Sequence, residues 1–194
     1  MKLFKLNLFL VFFVILSCGP QGQTPDPVQQ VDSQEVPPPD YDPEARLSDL
    51  GIELATPASP VANYVNAVRT GNLIFLAGKG PNKPDGTYVT GKLGMDLTVE
   101  EGYEAARLTA ISQLAVLRAE LGNLNKVKRI VKVLGMVNAS PDFTDQPEVI
   151  NGFSDLMVEV FGQRGKHARA AVGMGSLPRG IAVEVELVVE VFED

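Results

Sequence analysis

Residues His167–Glu190, HARAAVGMGSLPRGIAVEVELVVE, decide the reading of this chain. Ala168–Met174 is a short β-prone run, and Pro178 and Gly180 break it. From Ala182 to Phe192, Val183, Val185, Leu187, Val189 and Val191 alternate with Glu184, Glu186 and Glu190. A period of two marks a half-buried strand. The same period sets Arg169, Ala171 and Gly173 on one face of the first run. The stretch therefore reads as two strands joined by a Pro-Gly turn. If they pair, Arg169 comes near carboxylates of the second strand. A cation beside an acid, among small residues, suits a carboxylate-bearing ligand.

Working outward, Arg46–Gly51 reads as a short helix opening the folded part. Tyr64–Val68 and Asn72–Ala77 read as strands around the turn Arg69-Thr70-Gly71, and Tyr88–Thr90 as a third, short strand. Lys79–Gly86 is crowded with Gly, Pro and Asn and reads as a loop. Thr98–Gly122 has a capping box, Thr98 with Glu101, and Gly122 as its stop. Within it Tyr103, Ala106, Ala110, Leu114, Leu117 and Leu121 recur at helical spacing. Val127–Val137 is a strand apolar enough to be central. Glu148–Phe161 is a second helix, with Asp145 as candidate cap and Pro147 near its first turn. This order suggests an α+β domain with helices layered on one face of a mixed sheet.

The 194 residues are 45% hydrophobic and carry a net charge of -7. An acidic chain lacks the clustered Lys and Arg of a phosphate-binding surface, so nucleic acid is not an expected partner. One Cys and one His exclude an intramolecular disulfide and disfavour a zinc site. No Walker A, GxGxxG or GxSxG motif occurs.

Met1–Ser17 carries two lysines and then an apolar core, Leu6–Leu16, the anatomy of a signal peptide. It runs into Ile15-Leu16-Ser17-Cys18-Gly19, which resembles a bacterial lipobox. That resemblance implies a lipidated Cys18 and a cell-envelope location. Gly19 in place of Asp implies the outer membrane in a double-membrane bacterium. The alternative is an ordinary secretory signal with Cys18 incidental. Residues 18–44, rich in Pro, Gln and Asp, read as the lipidated Cys and a disordered tether. The domain proper is expected over 45–194.

The pattern Ala-Arg-x-x-Val-x-x-x-x-Leu-Pro followed by Val-Glu-Val-Glu resembles the C-terminal signature of the Rid family. These are reactive intermediate deaminases, also called YjgF-like or endoribonuclease L-PSP-like proteins. NYVNAVRTGNLIFLAGKGP (63–81) resembles the family's N-terminal hairpin, and Gly78 matches the glycine ending its second strand. The longer segment Gly91–Tyr103 looks like a larger bacterial subgroup. The resemblance implies a chorismate-mutase-like α+β fold, a homotrimer and sites at subunit boundaries.

It also implies roles. Arg169 matches the arginine that holds the carboxylate of an imino acid, and a guanidinium fork suits that task. Glu184 matches a glutamate near the reacting water. Tyr64, Gly78, Asn151 and Ala171 fall on substrate-pocket positions. Ala171 stands where many members have Cys, and Ala77 where many have Ser. Each residue has a plainer alternative: Arg169 a structural ion pair with Glu184 or Glu186, Tyr64 a packed strand aromatic, Asn151 a solvent-facing amide. His167 reads as a surface or satisfied histidine. The implied activity is hydrolysis of 2-imino acids to 2-oxo acids and ammonia, without metal or organic cofactor. The alternatives are a non-catalytic binding module for small carboxylates on the same trimer and, from the family's other name, an endoribonuclease, which the acidic composition disfavours.

Overall fold

The computed structural model describes residues 37–192. The expected leader, Cys18 and most of the tether lie outside the described residues. The first helix begins upstream of the expected boundary at Ala45. Asp42 caps a helix over Pro43–Asp49, α1, by accepting from Ala45 N at 3.1 Å. The Tyr41 hydroxyl donates to Val127 O at 2.7 Å. Buried Arg164 holds this end down: its guanidinium lies 5.3 Å from the Tyr41 ring and 5.2 Å from that of Phe192, and donates to Lys128 O.

The remaining elements are β1 (Ala67–Thr70), β2 (Leu73–Lys79), α2 (Val99–Leu121), β3 (Val127–Asn138), α3 (Gln146–Phe161), β4 (Ala168–Met174) and β5 (Val183–Val191). The sheet order is β1-β2-β5-β3-β4. Only β3 and β4 run parallel, joined through α3; the other pairs are antiparallel.

The caps of α2 are those its sequence predicts. Thr98 and Glu101 exchange side-chain-to-backbone hydrogen bonds, and Gly122 closes the helix at φ 76°. Asp145 stands at the N-cap of α3 but makes no capping bond. The helices cover one face of the sheet. Ala106, Ala110, Leu114 and Leu117 from α2 and Val149, Phe153, Leu156 and Val160 from α3 bury themselves there, against Ile74, Val133, Val185 and Val189. The two helix backbones approach closely at Gly152, where a Cβ would stand 2.0 Å from Tyr103 O.

Three expectations change. Strands β4 and β5 do not pair: β3 lies between them and bonds to both. Period-two alternation reports which face of a strand is buried, and is blind to its neighbour. The first strand starts at Ala67, so Tyr64 precedes it. The hairpin turns at Gly71-Asn72, because Gly71 supplies positive φ at the first position of a two-residue turn. Tyr88–Thr90 is reduced to two isolated bridges, Asn82–Tyr88 and Thr90–Ile181.

The opposite sheet face has no helix among the described residues. Register puts Val68, Phe75, Val188 and Lys132 in one row across it, and Glu186 and Leu134 in the next. Val68 and Phe75 are 56% and 46% exposed, which leaves an apolar strip facing outward. At one end Glu190 accepts from Asn72 and pairs with Lys128 at 3.1 Å and Arg129 at 2.7 Å. Burial alone would raise its carboxyl, but the two cations hold it below the usual range.

Candidate functional site

Arg169 is the second residue of β4, level with Val133 of β3, and therefore on the helix-covered face. As β4 is an edge strand, its side chain emerges beside α3. Its Nη1 donates to Asn151 Oδ1 at 2.9 Å and to Ser154 Oγ at 3.1 Å. These two residues lie three apart on α3, on one helix face. Both hydrogens of Nη1 are thus engaged. The Nε and Nη2 hydrogens, which form the other edge of the fork, carry no bond to a described residue, and that edge has the spacing of a carboxylate. The ion pair with Glu184 or Glu186 considered from the sequence does not form.

Behind Ser154 stands His167. Its Nε2 is 3.1 Å from Ser154 Oγ and its Nδ1 is 2.6 Å from Gly165 O. Burial pushes the imidazole below its usual range; the Gly165 bond opposes this and the Arg169 charge adds to it. Ala171 is half-buried two residues along β4 and packs against the core. Neither Ser154 nor the orientation of His167 was legible in the sequence. Ser154 interrupts an apolar helix face, a signal shared with any exposed serine.

Glu184 lies elsewhere. It is level with Met136 and belongs to the open face, opposite to that of Arg169. Burial first, and then the charge of Glu186 two residues on, raise its carboxyl above the ordinary range. Gly78 is its neighbour: a Cβ there would stand 2.2 Å from Glu184 Oε1. The register shift between Leu76 and Lys79 marks the irregularity at Gly78. Buried Gln113 of α2 pins it, donating to Ala77 O at 3.0 Å and Val185 O at 2.6 Å. Gln113 also escaped notice in the sequence, since it sits within an apolar helical stripe.

Tyr64 is 50% exposed, three residues ahead of β1. Strands β1 and β4 are the two edges of the sheet, about 19 Å apart at four strand spacings. Lys79, whose ammonium burial makes less basic, donates to Asn66 Oδ1 at 2.6 Å. The chain thus joins Arg169 to Asn151, and Glu184 to Gly78, but not the first pair to the second or to Tyr64. Among the described residues no three His, Cys, Asp or Glu side chains gather as metal ligands.

Residues 44–191 match the model of the family described as "YjgF/chorismate_mutase-like, putative endoribonuclease". Protein TCP17 of Trypanosoma cruzi is 48% identical over 147 residues, which are 75% of this chain and 92% of that protein. The 2-iminobutanoate/2-iminopropanoate deaminase of Dermatophagoides farinae is 30% identical over 139 residues, 70% of this chain and 93% of that one. The crystal structure of protein Atu1372 of Agrobacterium tumefaciens, whose function is unknown, has a TM-score of 0.71 at 41% identity, covering 78% of this chain and 92% of that chain. Strand order, helix layer and sequence agree: this chain belongs to the YjgF/chorismate-mutase-like family, which includes 2-iminobutanoate/2-iminopropanoate deaminases.

Proposed function

We propose that this protein hydrolyses small 2-imino acids to 2-oxo acids and ammonia, in a site shared between copies of the chain assembled as a homotrimer. The observation that carries the reading is Arg169, held by Asn151 and Ser154 with its Nε/Nη2 edge left for a carboxylate. The relative named as an iminobutanoate deaminase supports the substrate class. The separation of Arg169 from Glu184 and Tyr64 supports a shared site, with Arg169 from one copy and the other two from a neighbour. The outward apolar strip around Val68, Phe75 and Val188 supplies a surface for that association.

In this reading Arg169 fixes the substrate carboxylate and the imine carbon faces Glu184. Glu184 takes a proton from water as the water oxygen bonds to the imine carbon, and delivers it to the imine nitrogen, which gives a neutral carbinolamine. Glu184 next takes the hydroxyl proton of the carbinolamine and passes it to the nitrogen as the C–N bond breaks, so ammonia and the 2-oxo acid leave and the carboxylate is restored. Much of the rate comes from positioning. The substrate is a small imino or keto acid ligand, and the chemistry calls for neither a metal nor an organic cofactor.

Ammonia release from a freshly generated imine tests the reading. A rate above buffer is expected. It falls on the acid side as the raised Glu184 carboxyl protonates, because only the carboxylate accepts a proton from water. Glu186→Gln removes the like charge and is expected to move that acid limb to lower pH. An acid limb unmoved in Glu186→Gln and Glu184→Gln alike would exclude Glu184 as the base.

The proposal extends to location. A lipid at Cys18, outside the described residues, would tether the domain to the bacterial envelope, in the outer membrane by the rule for Gly19. Full-length protein is then expected in the membrane fraction, with Cys18→Ser moving to the soluble one. Equal partition of the two would remove the anchor from the model.

A further inference from the structure

Two groups behind Arg169 take no part in the chemistry proposed above. We propose that Ser154 and His167 are positioning residues: a one-way hydrogen-bond relay that locks the Arg169 guanidinium so that its Nε/Nη2 edge faces the ligand. The inference rests on the reading of Arg169 as a carboxylate-binding group.

The direction of the relay follows from its last member. A backbone carbonyl only accepts, so the 2.6 Å contact between His167 Nδ1 and Gly165 O puts the ring proton on Nδ1. In the neutral ring Nε2 is then bare and must accept. The Ser154 hydroxyl, 3.1 Å away, therefore donates to it. That turns the lone pairs of Ser154 Oγ toward Arg169 Nη1, which donates at 3.1 Å. Each bond sets the orientation of the next, from Gly165 to Arg169. The anchor is itself closely packed: Gly165 lies so near α3 that a Cβ there would stand 2.1 Å from Met157 O. With Asn151 as the second acceptor, Nη1 is held at two points, which fixes the plane of the fork as well as its place.

Protonation of His167 undoes the arrangement. The imidazolium donates from Nε2, Ser154 loses its acceptor, and a second cation stands behind the guanidinium. The charged group acting on the ring is Arg169, two residues on in β4. Helix α3 adds Asp155 next to Ser154, where it accepts from the Tyr103 hydroxyl at 2.9 Å. On β3, Lys132 is level with Ala168 and belongs to the open face. Burial keeps the ring neutral at neutral pH, so the relay holds there and breaks on the acid side.

His167 is the single histidine of the chain, so a nitrogen-15 NMR spectrum of the untagged, full-length protein contains one imidazole. The Nδ1–H tautomer at neutral pH is expected; the Nε2–H tautomer overturns the relay. Pyruvate, a 2-oxo acid, serves as the binding probe. Ser154→Ala is expected to weaken pyruvate binding by roughly five- to ten-fold at neutral pH, less than the loss of a whole hydrogen bond to a charged group, because Asn151 still holds Nη1. Ser154→Thr, which keeps the hydroxyl, is expected to restore most of the affinity. His167→Gln offers Ser154 an amide oxygen that does not titrate, so affinity at neutral pH should survive while its loss on the acid side disappears. A purely structural role predicts instead that Ser154→Ala loses stability while affinity and its pH profile stay as in the wild type, and that result overturns the proposal. Failure of the wild type to bind pyruvate overturns the carboxylate reading of Arg169 and the purpose of the relay with it, whereas the wrong tautomer overturns the relay alone.

Discussion

Arg169→Ala is expected to lower kcat/KM for a small 2-imino acid by roughly ten-fold to somewhat over a hundred-fold, the value of a charged hydrogen bond of about 1.5–3 kcal/mol. Asn151 and Ser154 both bind Nη1, so the carboxylate would meet the Nε/Nη2 edge side-on. Arg169→Lys retains the charge but has no such edge, and is expected to recover little. The imine would be generated in place by an amino-acid oxidase, with semicarbazide as competing trap. Unchanged rates and binding in Arg169→Ala would mean that the family's site does not carry over to this chain. A wild type that binds carboxylates through Arg169 yet gives no rate would leave a binding module in place of an enzyme. The shared site adds a sharper test. Arg169→Ala and Glu184→Gln chains, unfolded and reassembled together at equal amounts, are expected to regain roughly a quarter of wild-type activity, since half of each side of every boundary is intact. No recovery in verified mixed assemblies would place both residues of one site on a single copy, against the opposite faces they occupy here.

Gly152→Ala is expected to destabilise the fold, although alanine is the better helix former. The added Cβ would stand 2.0 Å from Tyr103 O and 2.8 Å from Tyr103 C, and both are backbone atoms of α2. A flexible side chain could turn aside; a helix backbone cannot. Alanine gains about 1 kcal/mol of helix propensity over glycine, whereas overpacking of a tight core costs about 1–3 kcal/mol and occasionally more. Here the helices must separate, which strains the Tyr103–Asp155 and Arg107–Glu159 bonds that span them. A net loss of about 2 kcal/mol lowers the melting temperature of a domain this size by roughly 4–8 °C. Gly175→Ala is the control, because nothing lies within 4 Å of a Cβ there. Thermal melts at one protein concentration decide the matter, and a Gly152→Ala variant as stable as that control would refute the close-packing argument.

Much of the fold was legible in the sequence because its signals are local. Thr98, Glu101 and Gly122 mark the ends of α2 whatever the helix packs on, since capping satisfies backbone groups within one turn. The valines of β5 marked its buried face by alternation alone. The hairpin registered less well. A strand expected from Tyr64 begins at Ala67, because a strand starts where its ladder with a partner starts, here Ala67 opposite Leu76, and that is not written in its own residues.

By itself, then, the sequence determined the elements, their buried faces and, through the Ala-Arg and Leu-Pro pattern, the family to which 44–191 belong. Only the tertiary structure decided what lies beside what. It set β3 between β4 and β5, since backbone hydrogen bonds are the same for any partner strand and carry no address. It put Arg169 and Glu184 on opposite faces, because that intervening strand sets the level of each side chain. It brought Asn151 and Ser154 to one guanidinium and set His167 behind Ser154, joining a helix to an edge strand and the residue before it, which meet only when the core between them closes.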